Sequence, residues 1–244
     1  MQRAALCESL LAASEPRFII LEKFLFPRVV DFARVENLLI AKRIPAHVNQ
    51  WLAATDAFRR IAADFLGSPV RMRVSGTGWG LCCNAVHYIE PFQYLAGRAS
   101  LSLERTDFLE GFHDSKRSGY REIFGELAIS AADGSRLELA CDPGPAEDAI
   151  HIRIANSRRA VAIEFLLDRF ECRFEQDGQT TDAALPIPMQ SQLTHLLVRD
   201  LLSTGTCRLP DLATSSTQHL LILNAFLDHF RKFDPSVWET CPIS

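Results

Sequence analysis

Apolar residues recur along this chain at two periods, one helical and one extended. Residues 3 to 13 carry them at helical spacing, and Glu15-Pro16-Arg17 ends that run. Phe18-Ile19-Ile20-Leu21 is an unbroken apolar stretch closing on Glu22-Lys23, the pattern of a short buried strand. From Arg28 to Lys42, Val29, Val30, Phe32, Val35, Leu38, Leu39 and Ile40 make the apolar side of an amphipathic helix. Ile44 to Asn49 reads as a second short strand. Helix, strand, helix, strand is the order found in the last part of a doubly wound sheet, and such a half sheet leaves an open edge. Residues 52 to 66 predict another helix, ending near Gly67-Ser68-Pro69. Val70, Met72 and Val74 then alternate with Arg71, Arg73 and Ser75, a half-buried strand. A helix over 82 to 96 follows. Strands are predicted at 99–104, 122–131, 135–141, 149–155, 159–165 and 169–175, with hairpin signals at Asp133-Gly134 and Asp177-Gly178. Ser191 to Thr204 and Thr214 to Arg231 are the last helices. The predicted fold class is α+β. Residues 1–50 are the remnant of a doubly wound sheet, and 51–244 an open, mostly antiparallel sheet flanked by helices.

Composition narrows the function. Apolar content of 48% and charged content of 23% describe an ordinary soluble globule of 244 residues. A net charge of −4 argues against nucleic-acid binding, which favours basic chains. No apolar run reaches the ~18 residues of a spanning helix, so no membrane partner is expected. The N-terminus is amphipathic and carries Glu8, unlike a secretory signal. Seven cysteines, an odd number, suggest reduced thiols and a cytoplasmic setting. Cys82-Cys83 are adjacent, which suits neither a disulfide nor a zinc knuckle. With no Cys-x-x-Cys and no His-Glu-x-x-His, no metal is expected. Without Gly-x-Ser-x-Gly, a serine hydrolase is not indicated.

The densest chemistry lies between Ser75 and Glu90. Gly76, Gly78 and Gly80 allow close backbone approach, which suits a ligand-facing turn. On a helix, Asn84, His87 and Glu90 fall at three-residue intervals on one face. Each has two readings. Asn84 holds a hydroxyl or caps the helix. His87 exchanges a proton near neutrality or packs against a carbonyl. Glu90 orients His87 or pairs with an arginine. Lys23 is a site ammonium or a strand-end lysine facing water. Lys116, Arg117 and Tyr120 meet a carboxylate or phosphate, or form a solvated loop.

Taken together, Glu22-Lys23 and the segment Cys83-Asn84-Ala85-Val86-His87-Tyr88-Ile89-Glu90 resemble the Gfo/Idh/MocA family of NAD(P)-dependent oxidoreductases. That family has a strand ending Glu-Lys-Pro and a helix bearing Asp-x-Gly-x-His-x-x-Asp. Here Phe24 stands for the proline, Cys83 for the first aspartate and Glu90 for the second. Trp79-Gly80-Leu81-Cys82-Cys83-Asn84 is similar to the Trp-Gly-Leu-x-Cys-Asn of one branch. Asp114 to Gly125 looks like the same branch, as do Leu209-Pro210 and His219-Leu220-Leu221. The resemblance runs from the first helix to about Phe230. It implies hydride transfer between NAD or NADP and a hydroxyl or ketone of a sugar, cyclitol or nucleotide-sugar. It implies Lys23 and His87 as catalytic residues, with Asn84, Glu90, Cys83 and Trp79 on the substrate and Glu22 and Lys23 on the cofactor side. It also implies a homo-oligomer joined through the sheet face.

The family opens with a Rossmann-type strand, glycine turn and helix, which the 22 residues before Lys23 cannot contain. Gly76-Thr77-Gly78-Trp79-Gly80 has the wrong spacing for that turn. The chain is therefore read as a substrate domain that is not self-sufficient, its nucleotide-binding half lying upstream or in another chain. The alternative is a non-catalytic carbohydrate-binding or oligomerisation module. A thiol at position 83 cannot accept a proton as a carboxylate does.

Overall fold

The computed structural model describes residues 3–146, 149–166, 168–188 and 190–243. The chain opens with α1 (Arg3–Ala13), β1 (Ile19–Leu21), α2 (Val29–Lys42) and β2 (Ala46–Val48). β1 and β2 pair in parallel, Ile19 beside Ala46 and Leu21 beside Val48. These four side chains are buried, as the unbroken apolar runs require. α2 buries Phe32, Val35 and Leu39 and closes on Arg43 in the left-handed conformation.

A 3₁₀ turn (Trp51–Ala54) leads to α3 (Asp56–Ala63), β3 (Arg71–Thr77), α4 (Leu81–Asn84) and α5 (Val86–Leu95). The helix predicted over 52–66 is thus divided at Thr55, whose hydroxyl accepts from Phe58 N at 3.1 Å and so starts a new helix. The helix predicted over 82–96 is divided as well, at Ala85. Inside α5, Pro91 has no N–H to offer the His87 carbonyl four residues earlier.

The second half supplies β4 (Leu101–Phe108), β5 (His113–Asp114), β6 (Arg121–Glu122), β7 (Gly125–Ala131), β8 (Arg136–Asp142), β9 (Ile150–Ala155), β10 (Arg159–Phe165), β11 (Arg169–Gln176) and β12 (Gln179–Pro186). α6 (Gln190–Thr204) and α7 (Leu212–Phe233) complete it. Eight strands form one sheet in the order β12-β11-β10-β9-β3-β8-β7-β4. Every pairing in it is antiparallel except β3 with β8. β8 and β9 are not neighbours as a simple meander would have them, because β3 lies between them. β12 carries few apolar residues and lies at the sheet edge, which is why alternation did not reveal it.

One face of the sheet is apolar and covered. Met72, Val74, Leu137, Leu139, Ile152 and Ile154 point into the core. The other face is charged, with Arg73 reaching Glu138 at 2.9 Å and Glu126 at 3.1 Å, and Arg153 reaching Glu175 at 3.3 Å. α7 contacts α2 and β2 on one side and α5 and β4 on the other, so the first four elements and the sheet share one core. Phe24, Phe26, Phe32, Phe58, Phe92, Phe226 and Phe230 fill it. Among the described residues no helix is long and apolar enough to cross a membrane.

Candidate functional site

β1 ends where its parallel partner ends, and the next residues, Glu22 and Lys23, turn into a cleft of about 950 Å³. The turn between β3 and α4 forms another wall, with Gly78, Trp79 and Gly80. α4 and α5 add Cys83, Asn84 and His87; the β5–β6 hairpin adds His113 to Arg117 and Glu122; α1 contributes Arg3.

Lys23 is clamped. Its Nζ donates to Asn84 Oδ1 at 2.8 Å and to the Cys83 carbonyl at 2.9 Å. An ammonium has three N–H bonds, so one is left for a ligand in the cleft. Burial pulls its pKa below the usual lysine range, against the opposing pull of Cys83, Glu122 and Glu22. Asn84 in turn donates Nδ2 to the Trp79 carbonyl at 2.7 Å. Both ends of its amide are therefore engaged. Asn84 is the last residue of α4, not an N-cap, and its role in this geometry is to hold Lys23.

His87 lies on the first turn of α5 and lines the same cleft. Desolvation holds the imidazole neutral, its pKa well below the usual value, with nearby Lys23 and His219 adding to the effect. Its Nδ1 is buried without a partner. The Trp51 ring meets it edge-on at 6.4 Å. Trp79 is nearly buried; its indole donates to the Ala140 carbonyl at 2.8 Å and its ring meets Tyr88 at 5.5 Å. Glu22 accepts from Asn49 at 2.8 Å and from Gln190 at 3.3 Å.

Glu90 does not join the substrate side that the resemblance implies. It is fully buried but does not line the cleft. One guanidinium nitrogen of Arg98 donates to Oε2 at 2.8 Å and a second lies 2.7 Å from Oε1, while Gln218 donates to Oε2 at 2.6 Å. A carboxylate without water is costly unless paired, and Arg98 and α7 offer the pairing. Of its two readings, the arginine partner is the one observed.

Cys83 stays a thiol. Burial and the neighbouring Glu122 push its pKa up to about 12. Glu122 is the side chain that local patterning did not single out. It is 5% exposed, and its carboxylate accepts from the backbone N–H of Cys82 at 2.7 Å and of Cys83 at 3.2 Å. The sequence signal was an acid at the head of the apolar Ile123-Phe124, within the Asp114–Gly125 segment. Gly80 makes the convergence possible. It sits at φ 80°, and a Cβ there would lie 3.2 Å from Cys83 Sγ, 3.3 Å from Glu122 Oε1 and 3.4 Å from Asn84 Nδ2. Arg3 was not foreseen in the site either; Arg117 is within electrostatic reach of both Arg3 and Lys23.

No family model and no curated protein matches the sequence. Solved structures do match. KijD10, a 3-ketoreductase from Actinomadura kijaniata in complex with NADP and TDP-benzene, aligns with TM-score 0.69 at 14% identity over 91% of this chain and 73% of its own. The UDP-N-acetylglucosamine 3-dehydrogenase GnnA from Acidithiobacillus ferrooxidans aligns with TM-score 0.72 at 11% identity over 94% of this chain and 75% of its own. The chain shares its fold with oxidoreductases of the Gfo/Idh/MocA type. A super-repressor mutant of Gal80p from Saccharomyces cerevisiae has the fold too, with TM-score 0.71 at 11% identity over 96% of this chain and 77% of its own.

These neighbours bring a nicotinamide dinucleotide into question. In the first turn of α4, just after the glycine turn, the Cys82 and Cys83 amides are not open to a phosphate, because both donate to Glu122. Of the residues lining the cleft, Arg3, Lys23, Lys116 and Arg117 are the cations that could meet such a cofactor's phosphates.

Proposed function

We propose that the cleft is the substrate side of an oxidoreductase acting on a hydroxyl or ketone of a sugar, cyclitol or nucleotide-sugar. The observation that carries this reading is Lys23, an ammonium fixed by Asn84 and Cys83 with one N–H free toward a polar cleft that His87 also lines. A nicotinamide, NAD or NADP, supplies or takes the hydride when bound. This chain's residues handle the proton and the orientation. Lys23 gives a proton to the substrate oxygen in reduction and takes it back in oxidation, and burial brings its pKa toward the range where both steps run. His87, neutral, holds a neighbouring hydroxyl. Trp79 and Cys83 shape the wall, and Glu22 borders the cofactor side. On this reading residues 1–50 end a nucleotide-binding domain and 51–244 form the substrate domain. The outward sheet face, with charges of both signs, then joins two copies, and light scattering on the purified chain decides that point.

A second reading has an observation of its own. Two amides of the first turn of α4 are filled by a side chain of the protein, and a neighbour sharing the fold is a super-repressor mutant. Fold does not fix chemistry. The alternative is a non-catalytic carbohydrate-binding module. Calorimetric titration with NAD(H) and NADP(H), followed by sugars and nucleotide-sugars, separates the two. Micromolar dinucleotide binding, and turnover lost in Lys23→Ala and His87→Ala, support the oxidoreductase. Sugar binding without dinucleotide binding or turnover supports the module.

A further inference from the structure

The family pattern places an acid at position 83, and this chain has a thiol there. The fold brings a carboxylate to the same spot from another part of the chain. β6 carries Glu122 against the first turn of α4, where Cys82 N and Cys83 N donate to it at 2.7 and 3.2 Å. The Cys83 residue that binds Glu122 through its N–H binds Lys23 through its carbonyl, at 2.9 Å. One residue therefore joins the carboxylate to the ammonium. The strand beneath is firmly held. Arg121 donates its backbone N–H to the Pro242 carbonyl at 2.7 Å and its guanidinium to Asp234 at 2.5 Å, and lies over the Phe112 ring at 4.2 Å.

We propose that Glu122 is the acidic partner of Lys23. It is a positioning residue that supplies, from β6, the negative charge position 83 lacks, and it keeps Lys23 an ammonium able to give its proton to an oxygen in the cleft. The inference rests on reading Lys23 as the proton-handling group. The proton leaves Nζ for the substrate oxygen, a neutral amine remains, and the nearby carboxylate favours its reprotonation from water. Among the other groups facing Lys23, Glu22 at the end of β1 also favours the ammonium, but its carboxylate is engaged by Asn49 and Gln190 and it shares no residue of the clamp, whereas Glu122 binds the Cys83 that holds Lys23. Arg117 from the β5–β6 hairpin opposes the ammonium. Lys23 itself bears on His87 of α5 and His219 of α7, both kept neutral by burial, and Arg3 of α1 stands on the same side.

The chain has four lysines, so ¹³C-lysine NMR follows each titration separately, with Lys23→Arg giving the assignment. In Glu122→Gln, which keeps the shape and removes the charge, the acid constant of Lys23 should rise about tenfold or more. Lys42, Lys116 and Lys232 should not move. Glu122→Asp, with the charge one methylene further off, should give a smaller shift of the same sign. An unchanged Lys23 titration in folded Glu122→Gln overturns the proposal. If that variant does not fold, an unchanged titration in Glu122→Met, which also removes the charge, does so. A role confined to packing would lower the melting temperature and leave the titration alone. Neither readout needs cofactor or turnover, so failure of the sugar and dinucleotide screen, with this shift intact, rejects the oxidoreductase reading only.

Discussion

Arg98→Ala strands the Glu90 carboxylate, and the structure gives the size of the effect. Glu90 has no exposed surface and is held by two guanidinium contacts, at 2.7 and 2.8 Å, and by Gln218 at 2.6 Å. Removing one member of a buried pair costs about 3–5 kcal/mol. Arg98 is 40% exposed on its side chain, so water reaches part of the gap and the lower end, about 3 kcal/mol, is expected. Loss of the Arg98 contact over the Tyr94 ring, at 5.5 Å, acts in the same direction. At about 2–4 °C per kcal/mol for a chain of this size, the melting temperature should fall by about 6–12 °C. The double variant Arg98→Ala/Glu90→Gln removes the stranded charge but keeps an acceptor for Gln218, and should recover about half of the loss. Scanning calorimetry of the wild type, both single variants and the double variant closes the cycle. A double variant no more stable than Arg98→Ala would refute the idea that an uncompensated buried charge is the cause. Glu90→Gln alone should lower stability without weakening ligand binding, the reverse of what a substrate-contacting residue would show.

Two further outcomes follow from the same geometry. Gly80→Ala combines a left-handed φ with a Cβ 3.2–3.4 Å from Cys83 Sγ, Glu122 Oε1 and Asn84 Nδ2, so it should cost about 2 kcal/mol and disturb the Lys23 titration in NMR. Unchanged stability would mean the clamp yields easily. His219 donates Nδ1 to the Ser215 carbonyl at 2.7 Å and is fully buried; burial takes its pKa down to about 3. A histidine lowered in the folded state stabilises it above the unfolded pKa of about 6.5, and this stability is lost as pH falls toward 3. Urea titrations from pH 7 to 4 should show that decline, and His219→Gln should flatten it.

The Lys23 site was half legible before folding. Local pattern left Lys23 and His87 with two readings each, the family resemblance alone favoured the site, and the clamp that joins Lys23 to Asn84 links residues 61 positions apart. Glu122 was not legible as a partner of Cys83, because an acid at a strand head has the same local pattern whether it faces water or a helix start. Glu90 misled for the converse reason. Its spacing from His87 is right for a shared face, yet Arg98 beyond the end of α5 and Gln218 from α7 approach by routes that spacing does not describe.

Periodicity in the sequence marks most of the long elements, though it misses β12, runs α4 into α5, and places the exposed Val30 and Ile40 on the apolar side of α2. The alternation at Arg71–Ser75 predicts β3, the run at 159–165 coincides with β10, and the apolar stripe of 28–42 becomes α2. Those follow from periodicity, since side-chain direction repeats every two residues in a strand and every 3.6 in a helix. Only the tertiary structure decided that β3 lies between β8 and β9, that β12 forms the edge, and that β6 delivers a carboxylate to the residue holding Lys23. Periodicity says that a face must be covered. Which element covers it depends on the path of the chain through space, where residues 40 apart in sequence meet at 2.7 Å.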